Sequence, residues 1–196
     1  MSDCEHKEII KRKETQKAFG ETFEWQADVC SKCNAVMWDG EVQSRYHTWL
    51  ADIYKRDRDK FSVQFTLPAG ASDCLVAIAR RYPSIDEASL MRALISVYLL
   101  VVPGQSAISD AIEKMLSSET FLKISSGSRV SKKVRFKPKG LIALQGMADL
   151  LEISSAKFAE EILLRMLNMA VNNDVELKQL WEEMFESKLE AVLNAA

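Results

Sequence analysis

Two short segments of the chain alternate between apolar and polar residues. In residues 60–68 the apolar positions are every second residue, at Phe61, Val63, Phe65 and Leu67. Residues 133–138 repeat the pattern, and both segments end at a proline. Period-two alternation predicts a strand with one buried and one polar face. Proline cannot donate a ladder hydrogen bond, so it favours a strand end at each of these positions.

Each predicted strand is followed by two stretches with helical spacing of apolar residues. After the first strand these are residues 71–82 and a helix from a capping Asp86 to about Val102. After the second they are residues 141–151 and 155–171, where Ser154 or Ser155 is the expected cap. One strand and two helices cannot bury an apolar face alone. We therefore expect the two copies to pair their strands as an antiparallel ribbon under four helices.

This repeated strand–helix–helix pattern resembles the ribbon–helix–helix (Arc/MetJ-type) family of DNA-binding proteins. The resemblance covers residues 60–102 and 132–172, which correspond to the family's rarer tandem arrangement, a pseudo-dimer in one chain. It implies that outward strand residues read bases in the DNA major groove, and that the start of each second helix binds phosphate. The implied DNA-binding residues are Lys133, Arg135, Lys137, Ser62, Gln64, Thr66, Ser154 and Ser155.

Two features qualify this interpretation. In the first copy, Asp86 and Glu87 stand where phosphate would approach, and they would repel it. An alternating strand is also commonly the edge of some other sheet, and a basic strand is often only a solvated face. The presence of two copies, one with three outward cations, favours DNA binding. Because the two strands differ, nothing in the pattern favours a palindromic DNA site.

The N-terminal segment carries a candidate metal site. Cys4-x-His6 and Cys30-x-x-Cys33 flank two strand-like stretches, at residues 8–13 and 23–29. Three thiolates and an imidazole suit tetrahedral zinc. The segment resembles the short zinc-ribbon-like modules of some bacterial regulators and antitoxins, although its first pair has a one-residue spacer. His47 is a competing fourth ligand, and unliganded thiols are the alternative. A polar segment of this length needs such a cross-link to fold.

Composition and charge restrict the remaining choices. The chain has 196 residues and a net charge of −2, but six cations lie within residues 129–139 and six acids within residues 174–196. The acidic end therefore masks a basic region. The chain shows no signal peptide, and its longest apolar run, residues 97–103, is too short to span a membrane. The four cysteines suit a reducing compartment, so we expect a cytoplasmic protein. We find no catalytic motif and expect no enzyme.

These patterns predict a mainly helical fold with a short β ribbon. The parts are a zinc-binding β module (residues 1–48), two ribbon–helix–helix copies (60–102 and 132–172), a connecting helix and linker (105–131), and a C-terminal amphipathic helix (174–196). The C-terminal helix has an apolar stripe of eight large residues from Leu177 to Leu193. This stripe must cover the core or meet a partner chain. We expect a homodimer, with the same helix available to another protein.

The function predicted from the sequence is sequence-specific transcriptional regulation. By resemblance, the setting is a bacterial mobile element, including plasmid conjugation. Three alternatives remain open. These are a zinc-containing antitoxin, an accessory factor that binds DNA at a transfer origin, and a protein-interaction module that does not bind DNA.

Overall fold

The computed structural model describes residues 6, 8–82, 85–103, 116 and 118–194. It combines helices with two antiparallel sheets, one of three strands and one of two. The chain divides into two compact units, Met1–Phe61 and Ser62–Ala196. Helices with a short β ribbon agree with the predicted fold class. Among the described residues, no helix is both long and apolar enough to cross a membrane.

The first unit begins with a β hairpin. Strands β1 (Ile9–Ala18) and β2 (Glu21–Cys30) pair antiparallel, and β3 (Val36–Met37) pairs with β2. The hairpin turn is Phe19-Gly20, and both residues have positive φ, of 54° and 76°. Two consecutive positive φ angles match the right-handed twist of the strands, which explains the tight two-residue connection. The strands are longer than predicted because polar residues continue β1 beyond its apolar start.

Helix α1 (Gly40–Arg56) completes the first unit and is followed by a 3₁₀ turn (Arg58–Phe61). Asp39 caps α1, since its side chain accepts a hydrogen bond from the backbone N–H of Val42 at 2.7 Å. The core joins one face of β2 to this helix and is rich in aromatic side chains: Phe23, Trp25, Ala27, Val29, Val42, Val36, Trp38, Tyr46 and Trp49. Because α1 belongs to this core, the first unit extends to Phe61 and not only to residue 48.

The second unit contains the predicted strand–helix–helix repeat. Its first copy is β4 (Ser62–Pro68), α2 (Ala69–Ala79) and α3 (Glu87–Val101), and its second is β5 (Arg129–Arg135), α5 (Pro138–Leu150) and α6 (Ser155–Val171). The short helix α4 (Glu119–Ile124) precedes β5. A turn at residues 125–128 follows α4 and contains Gly127 at φ +92°. Of the connecting helix and linker predicted at residues 105–131, residues 105–115 and 117 lie outside the described residues.

The two copies are interlocked. Strand β4 pairs antiparallel with β5, as predicted. Helix α3 of the first copy packs against β5 of the second, α6 of the second packs against β4 of the first, and α3 and α6 contact each other. The buried strand residues Phe65, Leu67 and Val134 lie at 5% exposure or less. Each copy therefore completes the core of the other, which is why neither could bury its apolar face alone.

The chain ends in a C-terminal helix, comprising α7 (Val175–Leu180), a π-helical turn (Trp181–Glu186) and α8 (Ser187–Asn194). The turn and α8 pack against α3 of the same unit. Phe185 and Leu189 are fully buried, and Trp181 and Leu193 are at most 6% exposed. The apolar stripe therefore covers the chain's own core. A homodimer remains a prediction, but this stripe is not a free surface on which to form it.

Candidate functional site

The ribbon β4–β5 presents a polar face whose side chains lie directly opposite one another. The register pairs Ser62 with Arg135, Gln64 with Lys133, and Thr66 with Ser131. Opposed residues of an antiparallel pair project to the same side of the sheet. The side chains of Gln64, Thr66, Lys133 and Arg135 are exposed on this side, while the other face of the ribbon is covered by helices.

Two predicted reading residues are placed differently. Lys137 follows the paired segment and is the N-cap of α5, because Pro138 begins that helix and does not end the strand. The prediction that Lys137 belongs to the ribbon is therefore wrong. The Oγ of Ser62 is buried and has no hydrogen-bond partner among the described residues. It is not presented for contact, although the neighbouring Gln64 is exposed.

Two residues of the polar face, Ser131 and Arg129, were missed from the sequence. Ser131 is exposed and opposite Thr66, and Gln64 Nε2 donates a hydrogen bond to its Oγ at 3.3 Å. Strand β5 begins at Arg129, four residues before the predicted start. Residues 129–133 contain one apolar residue, so apolar alternation could not indicate their conformation. Continuing the antiparallel register back from Lys133 would have identified Ser131.

Ion pairs attach the ribbon to the helices beneath it. Arg129 Nε donates to Thr66 Oγ1 at 3.0 Å, and its Nη2 is 2.5 Å from Oε1 of Glu160, a carboxylate that is only 6% exposed. Lys132 pairs with Glu87 at the start of α3. The Lys132–Glu87 pair connects the two copies, since β5 supplies Lys132 and α3 supplies Glu87, whereas Arg129 and Glu160 both belong to the second copy. The pairing also compensates the charge of Glu87, one of the two acids expected to repel phosphate.

The N-termini of the second helices of the two copies differ in charge. At α3, Asp86 accepts a hydrogen bond from the backbone N–H of Ser89 at 2.6 Å. That hydrogen bond lowers the pKa of the Asp86 carboxyl, and Arg92 lowers it further. At α6, Ser154 Oγ accepts from the N–H of Lys157 at 3.1 Å, which confirms the predicted cap, and Ser155 is the first helical residue. The α6 terminus therefore carries a neutral cap, and the α3 terminus carries a negative one.

A thiol–imidazole cluster lies in the first unit. The ligand atoms of His6, Cys30 and Cys33 lie within 4.8 Å of one another, and Cys33 Sγ is 3.3 Å from His6 Nδ1. Ligand bonds of about 2.0–2.3 Å in a tetrahedral site place neighbouring ligand atoms roughly 3.5–3.8 Å apart. The three side chains could therefore hold a metal ion. Cys4 lies outside the described residues, and the cluster does not include His47, which lies on α1.

The backbone around the cluster positions the two cysteines. Cys30 ends β2, its N–H donates to Ala35 O at 3.0 Å, and its carbonyl accepts from Asn34 N–H at 2.9 Å. Asn34 has a φ of +56°, which allows the chain to turn back sharply after Cys33. The N–H of Ser31 donates to the carbonyl of Glu8 at 2.9 Å. That bond holds the segment beginning at His6 beside the cysteine turn.

Comparison of the chain with protein-family models, curated proteins and solved structures finds no match. Function is therefore inferred from the ribbon and from the thiol–imidazole cluster.

Proposed function

We propose that this protein binds double-stranded DNA in a sequence-specific manner and acts as a transcriptional regulator. The observation that carries the proposal is the two-stranded ribbon, whose exposed polar face includes Lys133 and Arg135 opposite polar partners. A two-stranded antiparallel ribbon has the dimensions to enter the major groove. Interlocked strand–helix–helix copies support the resemblance to the ribbon–helix–helix family. That resemblance implies a regulator of a mobile element, such as a plasmid.

The chemistry of the polar face defines what the ribbon would read. Arg135 and Lys133 suit the O6 and N7 acceptors of guanine, and Gln64 suits adenine. Thr66 and Ser131 form a neutral hydroxyl pair at the other end of the face. The cation at that end, Arg129, is paired with Glu160, so base reading by cations is concentrated in the half that contains Lys133 and Arg135. The preferred DNA site would be non-palindromic, with guanine in one half.

Phosphate contacts would be unequal in the same way. The neutral N-terminus of α6, capped by Ser154, offers backbone N–H groups and the positive end of a 17-residue helix. The α3 terminus carries Asp86 as its cap and is less favourable for phosphate. Unequal phosphate contacts and unequal base contacts would both distinguish this chain from a symmetric dimer that binds a palindromic site.

The experiment is selection of binding sites from a random DNA duplex library with the full-length protein. We expect one enriched non-palindromic sequence. Arg135→Ala should then weaken binding to that sequence by roughly 5- to 150-fold, since one good bidentate base contact contributes about 1–3 kcal/mol. Lys178→Ala is the matched control, because Lys178 is an exposed cation on the C-terminal helix. No enrichment, or equal affinities for the two variants, would refute the ribbon as the reading element.

We propose that the metal ion is zinc with a structural role in the first unit. Two thiols and an imidazole are ligands that zinc favours, and no other side chain of the described residues joins the cluster. Cys4 is the fourth ligand in this proposal, since two residues of chain from His6 span up to about 7 Å. With Cys4 as the fourth ligand, His47 would not bind the metal.

Metal analysis of purified variants tests the zinc proposal with the chain's two histidines as a matched pair. The wild type should contain about one zinc per chain. His6→Ala should lose the metal, and His47→Ala should retain it. Zinc retained by His6→Ala and lost from His47→Ala would show that the ligand set is different.

A further inference from the structure

A cavity of about 600 Å³ lies in the second unit, apart from the polar face of the ribbon. It is open to solvent and is lined by residues at the start and along the body of α3, at the beginning of α5 and at the end of the C-terminal helix. Its accessible apolar lining is Ile85 and Val192, which are half-buried, while Ala93, Phe136 and Leu193 lie behind them in the core at 5% exposure or less. Ligand sites for small molecules commonly have volumes of roughly 300–1,000 Å³. The cavity is therefore large enough for a small organic molecule.

Cations outnumber acids around this cavity. Arg92, Lys137 and Lys139 line it, and the lining acid is Asp86. Asp86 already accepts the Ser89 N–H at the start of α3. The guanidinium of Arg92 donates from Nη2 to Ser89 Oγ at 2.8 Å, which orients it within the wall. Three cations near an apolar surface form a site that attracts negative charge and apolar area together.

We propose that this cavity binds a small organic anion, with a carboxylate, sulfonate or phosphate group beside the cations and an apolar body against Ile85 and Val192. The apolar wall favours such a molecule over a DNA phosphate, which carries no apolar group to fill the cavity. The site also lies close to the ribbon along the chain. Lys137 lines the cavity and is two residues after Arg135, and Phe136 between them has a side chain in the core.

The closeness of Lys137 to the ribbon gives the site a regulatory consequence, which depends on the DNA-binding function proposed above. A bound anion would neutralise positive charge beside the ribbon and reduce its attraction for phosphate. Occupancy of the cavity is therefore expected to weaken DNA binding. The expected decrease is greatest at low salt, where electrostatic attraction is least screened.

The first experiment measures binding of 8-anilinonaphthalene-1-sulfonate to the full-length protein by fluorescence titration and calorimetry. This probe combines one sulfonate with an apolar ring system. We expect saturable binding of one equivalent. Lys139→Gln should weaken it roughly tenfold, the effect of removing one charge-assisted hydrogen bond. Ser96→Phe should abolish it by filling the cavity, which Ser96 also lines. Lys178→Gln removes a cation elsewhere and should bind as the wild type does.

The outcomes separate the two proposals. Absence of saturable binding, or an unchanged affinity in Lys139→Gln, would overturn the cavity as an anion site. Lys139 is exposed, so this variant remains informative if Ser96→Phe fails to fold. In a second experiment, a saturating concentration of the probe should lower the affinity of the wild type for its selected duplex. An unchanged affinity would overturn the coupling. A protein that binds the probe but no DNA would refute the proposed function and leave the anion site standing.

Discussion

Gly70, the second residue of α2, allows the two copies and their connection to pack closely. A Cβ at this position would come closer than 3.0 Å to the carbonyl oxygen of Lys123 and to 3.1 Å from that of Ile124. Both oxygens belong to the backbone at the end of α4. A backbone group cannot move aside as the end of a flexible side chain can. Gly70→Ala should therefore push α2 and α4 apart.

The magnitude follows from comparison with a second helical glycine. Gly146 lies within α5, and a Cβ there would meet no atom within 4 Å. Gly146→Ala should stabilise the protein by about 0.5–1 kcal/mol, because alanine loses less conformational entropy in a helix. Overpacking costs about 1–3 kcal/mol. Gly70 lies in the first turn of α2, where replacing glycine by alanine stabilises a helix less than in its interior. Subtracting this smaller gain from the cost of overpacking, we expect Gly70→Ala to lower the free energy of unfolding by about 1–2 kcal/mol.

Urea denaturation followed by circular dichroism measures both variants against the wild type. Both substitutions replace a helical glycine by alanine. Opposite signs of the change in the free energy of unfolding would therefore be due to the close approach of α4 to Gly70. If Gly70→Ala were as stable as Gly146→Ala, α4 would not lie against the first turn of α2. The reasoning on how the connection packs would then be refuted.

Three further predictions address other parts of the molecule. Phe185→Ala should lower the free energy of unfolding by about 3–5 kcal/mol at any protein concentration, since Phe185 is buried within its own chain. A urea midpoint of unfolding that rises with protein concentration would instead indicate a dimer interface. Asp86→Ala should cost about 1 kcal/mol near pH 7. Folding lowers the Asp86 pKa, so the stability difference between wild type and Asp86→Ala is present above the unfolded pKa of about 3.9 and disappears as pH falls through the folded pKa. The control is Ser154→Ala, whose cost in stability should not change with pH. Removal of the proposed zinc by a chelator should destabilise the unit Met1–Phe61, as measured by tryptophan fluorescence, and Cys74→Ser should respond to the chelator as the wild type does.

Apolar periodicity was sufficient to predict the repeat. The alternation of Val63, Phe65 and Leu67 gave the buried face of β4. Asp86, and one of the pair Ser154 and Ser155, were identified as caps from their places before apolar helical patterns. These features depend on local spacing and on backbone groups within one turn. They could therefore be predicted from the sequence.

The remaining features depend on contacts between distant segments. The position of Lys137 was mistaken because Pro138 can either end a strand or begin a helix, and only the register with β4 decides between them. Alternation gave the side to which Ser62 projects but not its burial. The predicted first module stopped at residue 48, within α1, although Val42, Tyr46 and Trp49 have helical spacing, because the aromatic face of β2 that they cover is far away in sequence.

The central claim is that the ribbon enters the major groove and that Arg135 contacts guanine there. Protection of guanine N7 from dimethyl sulfate tests it most directly, because N7 lies in the major groove. With the selected duplex, the wild type should protect at least one guanine in one half of the site. Arg135→Ala should lose that protection at concentrations that still saturate the DNA. Bound DNA whose guanines react as in free duplex would contradict major-groove reading by this ribbon.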